Sequence, residues 1–259
     1  MKSLIKKLIN SDIAMLLRNT LRIRISNHNF PVDYDTPVTT TDCFLWRTDS
    51  NYKTIFKYKD ILKLFHNIND SWVEIHIFSK MNKLLKIEKI YNLDISNKFE
   101  INSKYLSGLE DFGLFYIYHY TKNKSILLRE NIISNRCYVG YSQNNKIYSF
   151  LHGNIHARYT SIYNNNKISS NIVNRSVFKT SSYKIQKYFD ISNKNEFFVC
   201  NPTYETIKFS TQGQNYKLKS GCAMCIAIKQ PVILIVSNLF YLRPTIFSYK
   251  DEYLDVHHS

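Results

Sequence analysis

The chain has 259 residues, of which 44% are hydrophobic, with a formal net charge of +15 and five cysteines. The hydrophobic content excludes wholesale disorder, and no stretch reaches the ~18 uninterrupted apolar residues of a membrane-spanning helix. An odd number of cysteines at this low density argues against a disulfide framework. We therefore expect a soluble, cytoplasmic protein with reduced thiols.

The basic charge on its own favours nucleic acid or a membrane surface as a partner. Lysine, asparagine, isoleucine and tyrosine are all abundant, however, and A/T-rich codons specify all four. Arginine, whose planar guanidinium suits phosphate recognition, is much scarcer than lysine, and the lysines are scattered along the chain. We therefore expect no nucleic-acid partner, and the sequence leaves open whether the charge is functional.

Residues 1–25 are predicted to form an amphipathic helical segment. Apolar residues from Leu4 to Leu21 recur every three to four positions, as they do on one face of a helix, and most of the cations lie off that face. This apolar stripe either packs on the rest of the fold or rests on a membrane surface. In the second alternative the helix makes the protein peripheral to a membrane.

From residue 26 onward the pattern becomes that of β-strands. The sequence predicts a larger β-rich domain at 26–165, a linker or long loop rich in Asn and Ser at 166–182, and a small domain at 183–259. Alternation in the larger domain predicts two strands around a polar turn at Ser79–Lys83. Short strands at roughly ten-residue spacing predict a small antiparallel sandwich at the C-terminus. The predicted fold class is mainly β, an N-terminal amphipathic helix followed by β-sandwich-like regions.

Two stretches carry candidate metal ligands. His152 and His156 stand four residues apart, but Gly153-Asn154 between them disfavours a helix and no HExxH motif is present, so a hairpin turn is the alternative interpretation. In the last predicted strand, Asp255 and His257 share one face, about 6.5–7 Å apart. A carboxylate with histidines suits non-haem iron or zinc. If the two stretches meet in space, they predict a metal-dependent enzyme as one function.

Aromatic side chains suggest a different function, because exposed rings on a β surface can stack on sugar rings. The stretch FLWRT places Trp46 beside Arg47, and CYVGYS places Tyr138 and Tyr141 around a glycine. We select these four residues as candidate ligand contacts. The leading hypothesis is a binding or structural module with a glycan as its partner.

Other chemical signals are weak. Cys222 and Cys225 form a CxxC without a second pair, in strand-like surroundings, and are predicted to be small buried thiols. His119 shares the apolar face of its strand and is predicted to be a core histidine. The sequence has no GxSxG, GxGxxG or GxxxxGK[ST] motif and only six glycines. No catalytic residue, no oligomeric state and, apart from the iron or zinc alternative, no cofactor is predicted.

Overall fold

The computed structural model describes residues 17, 38–123, 132–134, 137–146, 148–153, 156–163, 166–171, 180–186, 194–228, 230, 232–239, 242, 244–251 and 253–258. Of the predicted helical segment 1–25, only Leu17 belongs to this part. The N-terminal amphipathic helix and its membrane contact therefore lie outside the described residues and stay predictions. Among the residues that are described, no helix is long and apolar enough to cross a membrane.

Strands dominate the described residues, which confirms the mainly β prediction. The first ten are β1 (Val38–Asp42), β2 (Phe44–Arg47), β3 (Tyr52–Lys59), β4 (Trp72–Ser79), β5 (Leu84–Ile90), β6 (Ser96–Ile101), β7 (Phe112–Tyr120), β8 (Ile132–Ser134), β9 (Cys137–Gln143) and β10 (Ser149–His152). The next ten are β11 (His156–Tyr163), β12 (Asn166–Asn171), β13 (Ser181–Gln186), β14 (Asn195–Cys200), β15 (Ile207–Thr211), β16 (Gln214–Leu218), β17 (Ala223–Ala227), β18 (Val232–Ser237), β19 (Thr245–Lys250) and β20 (Tyr253–His258). Helical structure in this part comprises a 3-10 turn (Asp49–Asn51) and the short helix α1 (Ile61–His66).

These strands form five small sheets of four strands each in the described chain. Sheet 1 has the order β12-β11-β1-β8, sheet 2 β2-β7-β4-β5, sheet 3 β10-β9-β3-β6, sheet 4 β17-β14-β19-β20 and sheet 5 β13-β18-β15-β16. Neighbouring strands are antiparallel except for β1 and β8, which are parallel. The predicted turn at Ser79–Lys83 is confirmed, since it joins β4 to β5 and the amide of Ser79 donates to the carbonyl of Lys83 at 2.8 Å.

The main hydrophobic core is built by sheets 2, 3 and 4. Its buried members are Phe44, Leu45, Trp46, Tyr52, Phe56, Tyr58, Val73, Ile75, Ile77, Leu93, Ile101, Leu106, Phe115, Ile117, Cys137, Val139, Tyr141, Phe198, Phe247 and Val256. The last three come from the region predicted as a separate C-terminal domain. Residues of 26–165 and 183–259 therefore share one core.

Sheet 4 also contributes to a second core, which it shares with sheet 5. Phe198 and Phe247 face the main core, whereas their chain neighbours Phe197 and Ile246 face the second. Successive strand residues point to opposite faces, so a sheet buried on both sides requires consecutive apolar residues. This is why β14 and β19 are hydrophobic without alternation.

Sheet 1 covers the face of sheet 2 that points away from the main core. Tyr116 on β7 packs in a buried cluster with Ala157 on β11. The amide of Ile117 donates to the Thr41 hydroxyl on β1 at 3.0 Å. Strand β7 is therefore buried on both faces.

Part of the predicted linker at 166–182 is a strand. Asn166–Asn171 form β12, which pairs with β11 along its whole length, and residues 181–182 begin β13. Residues 172–179 lie outside the described part. The Asn and Ser content favours loops, but pairing with a neighbouring strand overrides that local preference.

A buried guanidinium connects the two halves of the chain. Arg47 bonds the Asp49 carboxylate twice, with Nε to Oδ1 at 2.8 Å and the second terminal nitrogen to Oδ2 at 2.9 Å. Its first terminal nitrogen donates to Glu196 Oε2 at 2.7 Å and to the Tyr249 hydroxyl at 3.0 Å. The guanidinium carbon lies 3.9 Å from the centroid of the Tyr52 ring. We call these five residues the Arg47 network.

The Arg47 network holds Arg47 and Glu196 in their charged forms. Burial raises the pKa of Glu196, but the Arg47 charge and hydrogen bonds from Lys194, Tyr249 and Arg47 lower it more, so it lies below its ordinary value. Burial lowers the pKa of Arg47, yet its bonds to Asp49 and the neighbouring negative groups raise it above the ordinary range. The network is thus an ion cluster at neutral pH.

Asp60 anchors helix α1 and a buried histidine. Its Oδ1 atom accepts hydrogen bonds from the amides of Leu62 and Lys63, both at 3.1 Å, which caps the helix. Its Oδ2 atom accepts from the Ser71 hydroxyl at 2.7 Å, and His119 Nε2 lies 3.2 Å from Oδ1. His119 is fully buried, so the prediction of a core histidine is confirmed.

Replacing Arg47 by Met is expected to lower the free energy of unfolding by about 3–5 kcal/mol, because it removes the buried cation shared by Asp49 and Glu196 and leaves Glu196 with the exposed Lys194 (Nζ to Oε1 2.8 Å). Urea denaturation measures this loss. The matched control is Lys86→Met, which breaks a surface pair with Glu88 (3.5 Å) and is expected to cost less than about 1 kcal/mol. Equal losses in the two variants would contradict the role given to Arg47.

Asp60→Asn is expected to lower the free energy of unfolding by about 2 kcal/mol at neutral pH. Burial raises the pKa of Asp60, but His119 and the bonds from Lys63 and Ser71 lower it below its usual value. The stabilisation by the carboxylate is therefore complete above the unfolded-state pKa of about 3.9 and is lost as the pH falls through the folded-state value. Urea denaturation across this pH range should show the two proteins converging, whereas the exposed control Asp94→Asn should match the wild type throughout.

Candidate functional site

An exposed aromatic surface lies on the outer side of sheet 3. Strands β9 and β10 pair so that Tyr138 stands opposite His152 and Gly140 opposite Phe150, and β3 places Lys57 beside Tyr138. The Tyr138 side chain is 56% exposed and that of Phe150 is 39% exposed. We call Tyr138, Phe150, Lys57 and His152 the aromatic face.

Gly140 determines how the Phe150 ring lies on this face. A side chain at position 140 would collide with the Phe150 ring, so the ring covers the β9 backbone where glycine leaves space. Lys57 Nζ lies 4.7 Å from the ring centroid and the Tyr148 ring lies 5.9 Å away. Phe150 is thus held by the backbone beneath it and by side chains around it.

Of the four ligand contacts selected from the sequence, the structure exposes Tyr138. Trp46 and Tyr141 are both 0% exposed, and each donates its polar hydrogen to a backbone carbonyl at 2.7 Å. Arg47 is buried in its ion network. Rings without an exposed face cannot stack on a ligand, so these three residues support the core instead. The neighbours that sequence reasoning missed are Phe150 and Lys57.

The predicted metal ligands meet in a different combination. Asp255 and His257 share one face of β20 as expected, with Oδ2 and Nδ1 2.7 Å apart. His152 contacts His258, which points to the other face of β20, and their ring centroids are 4.7 Å apart. The side chain of His156 lies outside the described part. Within that part no group of three or more His, Cys, Asp or Glu residues is placed to hold a metal ion, so the iron or zinc site stays a hypothesis from sequence.

A second cluster joins two cysteines that no sequence motif indicated. Cys43 lies in the break between β1 and β2, Cys200 ends β14, and both pack against the same buried cluster, where each thiol affects the pKa of the other. Cys43 Sγ lies 3.7 Å from the Tyr116 hydroxyl. The guanidinium carbon of Arg158 is 4.2 Å from the Tyr116 ring centroid. We call these four residues the thiol cluster.

The two thiols of the cluster differ in acidity. The neighbouring Cys200 thiol, together with the Tyr116 hydroxyl and the Arg158 charge, lowers the pKa of Cys43 despite burial and the nearby Asp42. The Cys43 thiol and burial raise the pKa of Cys200 well above its ordinary value. Cys43 is therefore the thiol that ionises first.

A small cavity connects the two regions. It has space for about one water-sized molecule, is partly open to solvent, and is lined by residues that include Cys43, Tyr141, His152, Gly153 and Thr245. His152 also belongs to the aromatic face. The cavity thus leads from the edge of that face to the Cys43 side chain.

The two cysteines of the CxxC motif differ in their exposure to solvent. Cys222 is buried, as predicted, whereas Cys225 is exposed, so the prediction of a buried thiol is wrong for Cys225. Cys225 lies on β17, which forms an edge of sheet 4 and leaves one side of the strand uncovered.

Comparisons with known proteins show no close relationship. No protein-family model matches the chain, and no curated protein sequence matches it. The major pilin protein (T-13) of Streptococcus pyogenes is 13% identical over 84% of each chain, with a TM-score of 0.23. An anti-sigma factor domain-containing protein is 9% identical over 83% of this chain and 82% of its own, with a TM-score of 0.20. The mannose 6-phosphate isomerase of Bacillus subtilis is 14% identical over 85% of this chain and 78% of its own, with a TM-score of 0.15. Scores this low support no argument about fold or function.

Gly140→Ala is expected to push the Phe150 ring off the β9 backbone and to lower the free energy of unfolding by about 1 kcal/mol, as overpacking does. The ring-current shift of the Lys57 side-chain protons in NMR spectra should be reduced, because the ring leaves its place beside that lysine. The double variant Gly140→Ala/Phe150→Leu should recover the lost stability. Unchanged Lys57 shifts in the single variant would contradict this packing.

Proposed function

We propose that this protein is a β-sandwich-like binding module whose aromatic face binds a carbohydrate. The observation that carries the proposal is the pair of exposed rings of Tyr138 and Phe150 on neighbouring strands. Ligand sites combine apolar surfaces that provide contact area with a few polar groups that fix orientation. The apolar faces of sugar rings are suited to stacking on such aromatic rings.

The strands beneath these rings support binding because they keep the face in place. Tyr138 lies on an inner strand of sheet 3, paired with β3 on one side and β10 on the other. Phe150 is fixed over Gly140. Aromatic side chains have two rotatable bonds and lose little conformational entropy on binding. A ligand would therefore meet a surface that is already ordered.

Polar groups beside the rings suit hydroxyl groups. His152 Nδ1 lies 2.9 Å from the Gly153 carbonyl, which accepts its hydrogen in the neutral tautomer and leaves Nε2 as an acceptor. The exposed Lys57 comes from the strand on the other side of Tyr138 and supplies a donor at 4.7 Å from the Phe150 ring centroid. A sugar hydroxyl both donates and accepts, so it matches this mixed pair.

The same face is poorly suited to nucleic acid, although bases also stack on aromatic rings. None of the four strands of sheet 3 contains arginine. Strand β6 alternates Lys98 with Glu100, and a carboxylate repels phosphate groups. Lys53, Lys57 and Lys59 share one side of β3, and Lys98 pairs with Lys57, so this face does carry cations. The absence of arginine from these strands is what favours an uncharged or weakly charged ligand over phosphate.

Binding to an array of purified oligosaccharides, followed by calorimetric titration of each hit, tests the proposal. We expect Tyr138→Ala and Phe150→Ala each to weaken binding at least about tenfold, since central aromatic contacts dominate such interfaces. The matched control is Phe65→Ala, which removes an exposed aromatic ring (64% exposed) from helix α1 and should leave affinity unchanged.

Three results would contradict the proposal. These are the absence of any oligosaccharide hit, hits that both aromatic variants retain at full affinity, and selective retention of single-stranded oligonucleotides in a parallel assay. Circular dichroism of each variant confirms that a loss of binding is not a loss of fold.

A further inference from the structure

The thiol cluster brings together two reduced cysteines from opposite halves of the chain. Cys43 lies between β1 and β2, and Cys200 lies at the end of β14 in sheet 4. Both side chains are partly buried against the tyrosines of β7. The two thiols pack against the same cluster and lie close enough for each to change the pKa of the other.

We propose that Cys43 and Cys200 form a peroxide-reactive dithiol site, in which hydrogen peroxide converts the two thiols to a Cys43–Cys200 disulfide. The proposal is independent of carbohydrate binding, because the aromatic face contributes no sulfur atom to the cluster.

The reaction balances in two steps. The Cys43 thiolate attacks one peroxide oxygen, the O–O bond breaks, and the leaving hydroxide takes up a proton to become water, which yields a sulfenic acid on Cys43. The Cys200 sulfur then attacks the Cys43 sulfur, the S–O bond breaks, and water leaves with the thiol proton of Cys200. Overall, two thiols are oxidised and one hydrogen peroxide is reduced to two waters.

The roles of the two cysteines follow from their surroundings. The Cys43 thiol donates to the Tyr116 hydroxyl at 3.7 Å. The neighbouring Cys200 thiol, this hydroxyl and the Arg158 charge lower the pKa of Cys43, which favours its thiolate. The raised pKa of Cys200 keeps it protonated, so it is the thiol that reacts after Cys43 has become a sulfenic acid. Cys43 is therefore the attacking sulfur and Cys200 the resolving sulfur.

Access to Cys43 is provided by the solvent-open cavity that it lines with His152 and Gly153. Hydrogen peroxide is little larger than water and needs no extended binding pocket. The pocket has space for about one water-sized molecule. The site thus combines a stabilised thiolate, a partner thiol and a route for a small oxidant.

The other three cysteines lack this combination. Burial raises the pKa of Cys137 well above its ordinary value and also raises that of Cys222. Cys225 is exposed, but burial of its sulfur and the nearby Glu196 raise its pKa to about 11. Exposure alone would make Cys225 the first thiol to react, so it is a stringent internal comparison.

The test treats the full chain, reduced and then freed of reductant, with hydrogen peroxide. Remaining thiols are blocked with N-ethylmaleimide, and disulfide-linked peptides are identified by mass spectrometry. We expect a Cys43–Cys200 disulfide that dithiothreitol reverses. It should form at least about tenfold faster than Cys225 is oxidised, since each pKa unit changes the thiolate fraction about tenfold.

Two variants separate the steps. Cys200→Ser keeps a hydroxyl donor beside Cys43 but cannot form the disulfide, so Cys43 should accumulate as a sulfenic acid that dimedone traps. Cys225→Ser is the matched control and should form the Cys43–Cys200 disulfide at the wild-type rate. The proposal is overturned if the wild type yields no Cys43–Cys200 peptide or oxidises Cys225 first. It is also overturned if folded Cys200→Ser gives no dimedone adduct on Cys43.

Discussion

The burial of the Arg47 guanidinium is the interaction on which the arrangement of the fold depends. Removing an ion from water costs several kcal/mol, and that cost is offset only where partners satisfy the charge. Here the partners come from both halves of the chain: Asp49 lies two residues away, whereas Glu196 and Tyr249 belong to sheet 4. Any packing that moved sheet 4 away would leave a buried cation with one carboxylate. The network therefore selects one relative placement of the two halves.

Both regions with candidate chemistry lie where those halves meet. The thiol cluster exists because sheet 4 brings Cys200 to Cys43. The edge of the aromatic face depends on the same contact, since the Ser149 hydroxyl on β10 accepts from the amide of Val256 on β20 at 2.9 Å. His152, at the end of β10, then contacts His258. The Arg47 network fixes how the two halves of the chain contact each other, and these contacts, not a local sequence motif, bring the candidate residues together.

The local sequence pattern was sufficient to predict the β fold and hairpin turns, because the alternation of apolar and polar residues in a strand is visible in consecutive residues. The same alternation predicts that Tyr138 and Tyr141 face opposite sides of their strand, because they are three residues apart. It does not tell which side meets solvent, since that depends on what covers each sheet. In β20 a change of one residue decides the face, and His258 rather than His257 meets His152. A local sequence pattern does not show which distant cysteines or distant charges come together in the fold.

The placement of the described arginines bears on why the high positive charge does not by itself determine a partner. The two arginines in the described part of the chain both stack on tyrosine rings inside the fold, Arg47 at 3.9 Å from Tyr52 and Arg158 at 4.2 Å from Tyr116. A guanidinium is planar and weakly hydrated, so it tolerates such a position, whereas the strongly hydrated lysine ammonium remains at the surface, as Lys57 does. Arg47 and Arg158, the arginines of the described part, thus stabilise the interior and are not placed to bind phosphate. The outer face of sheet 3 combines exposed aromatic rings with lysine donors of β3 and β6, so the proposed carbohydrate binding depends on ring stacking more than on charge.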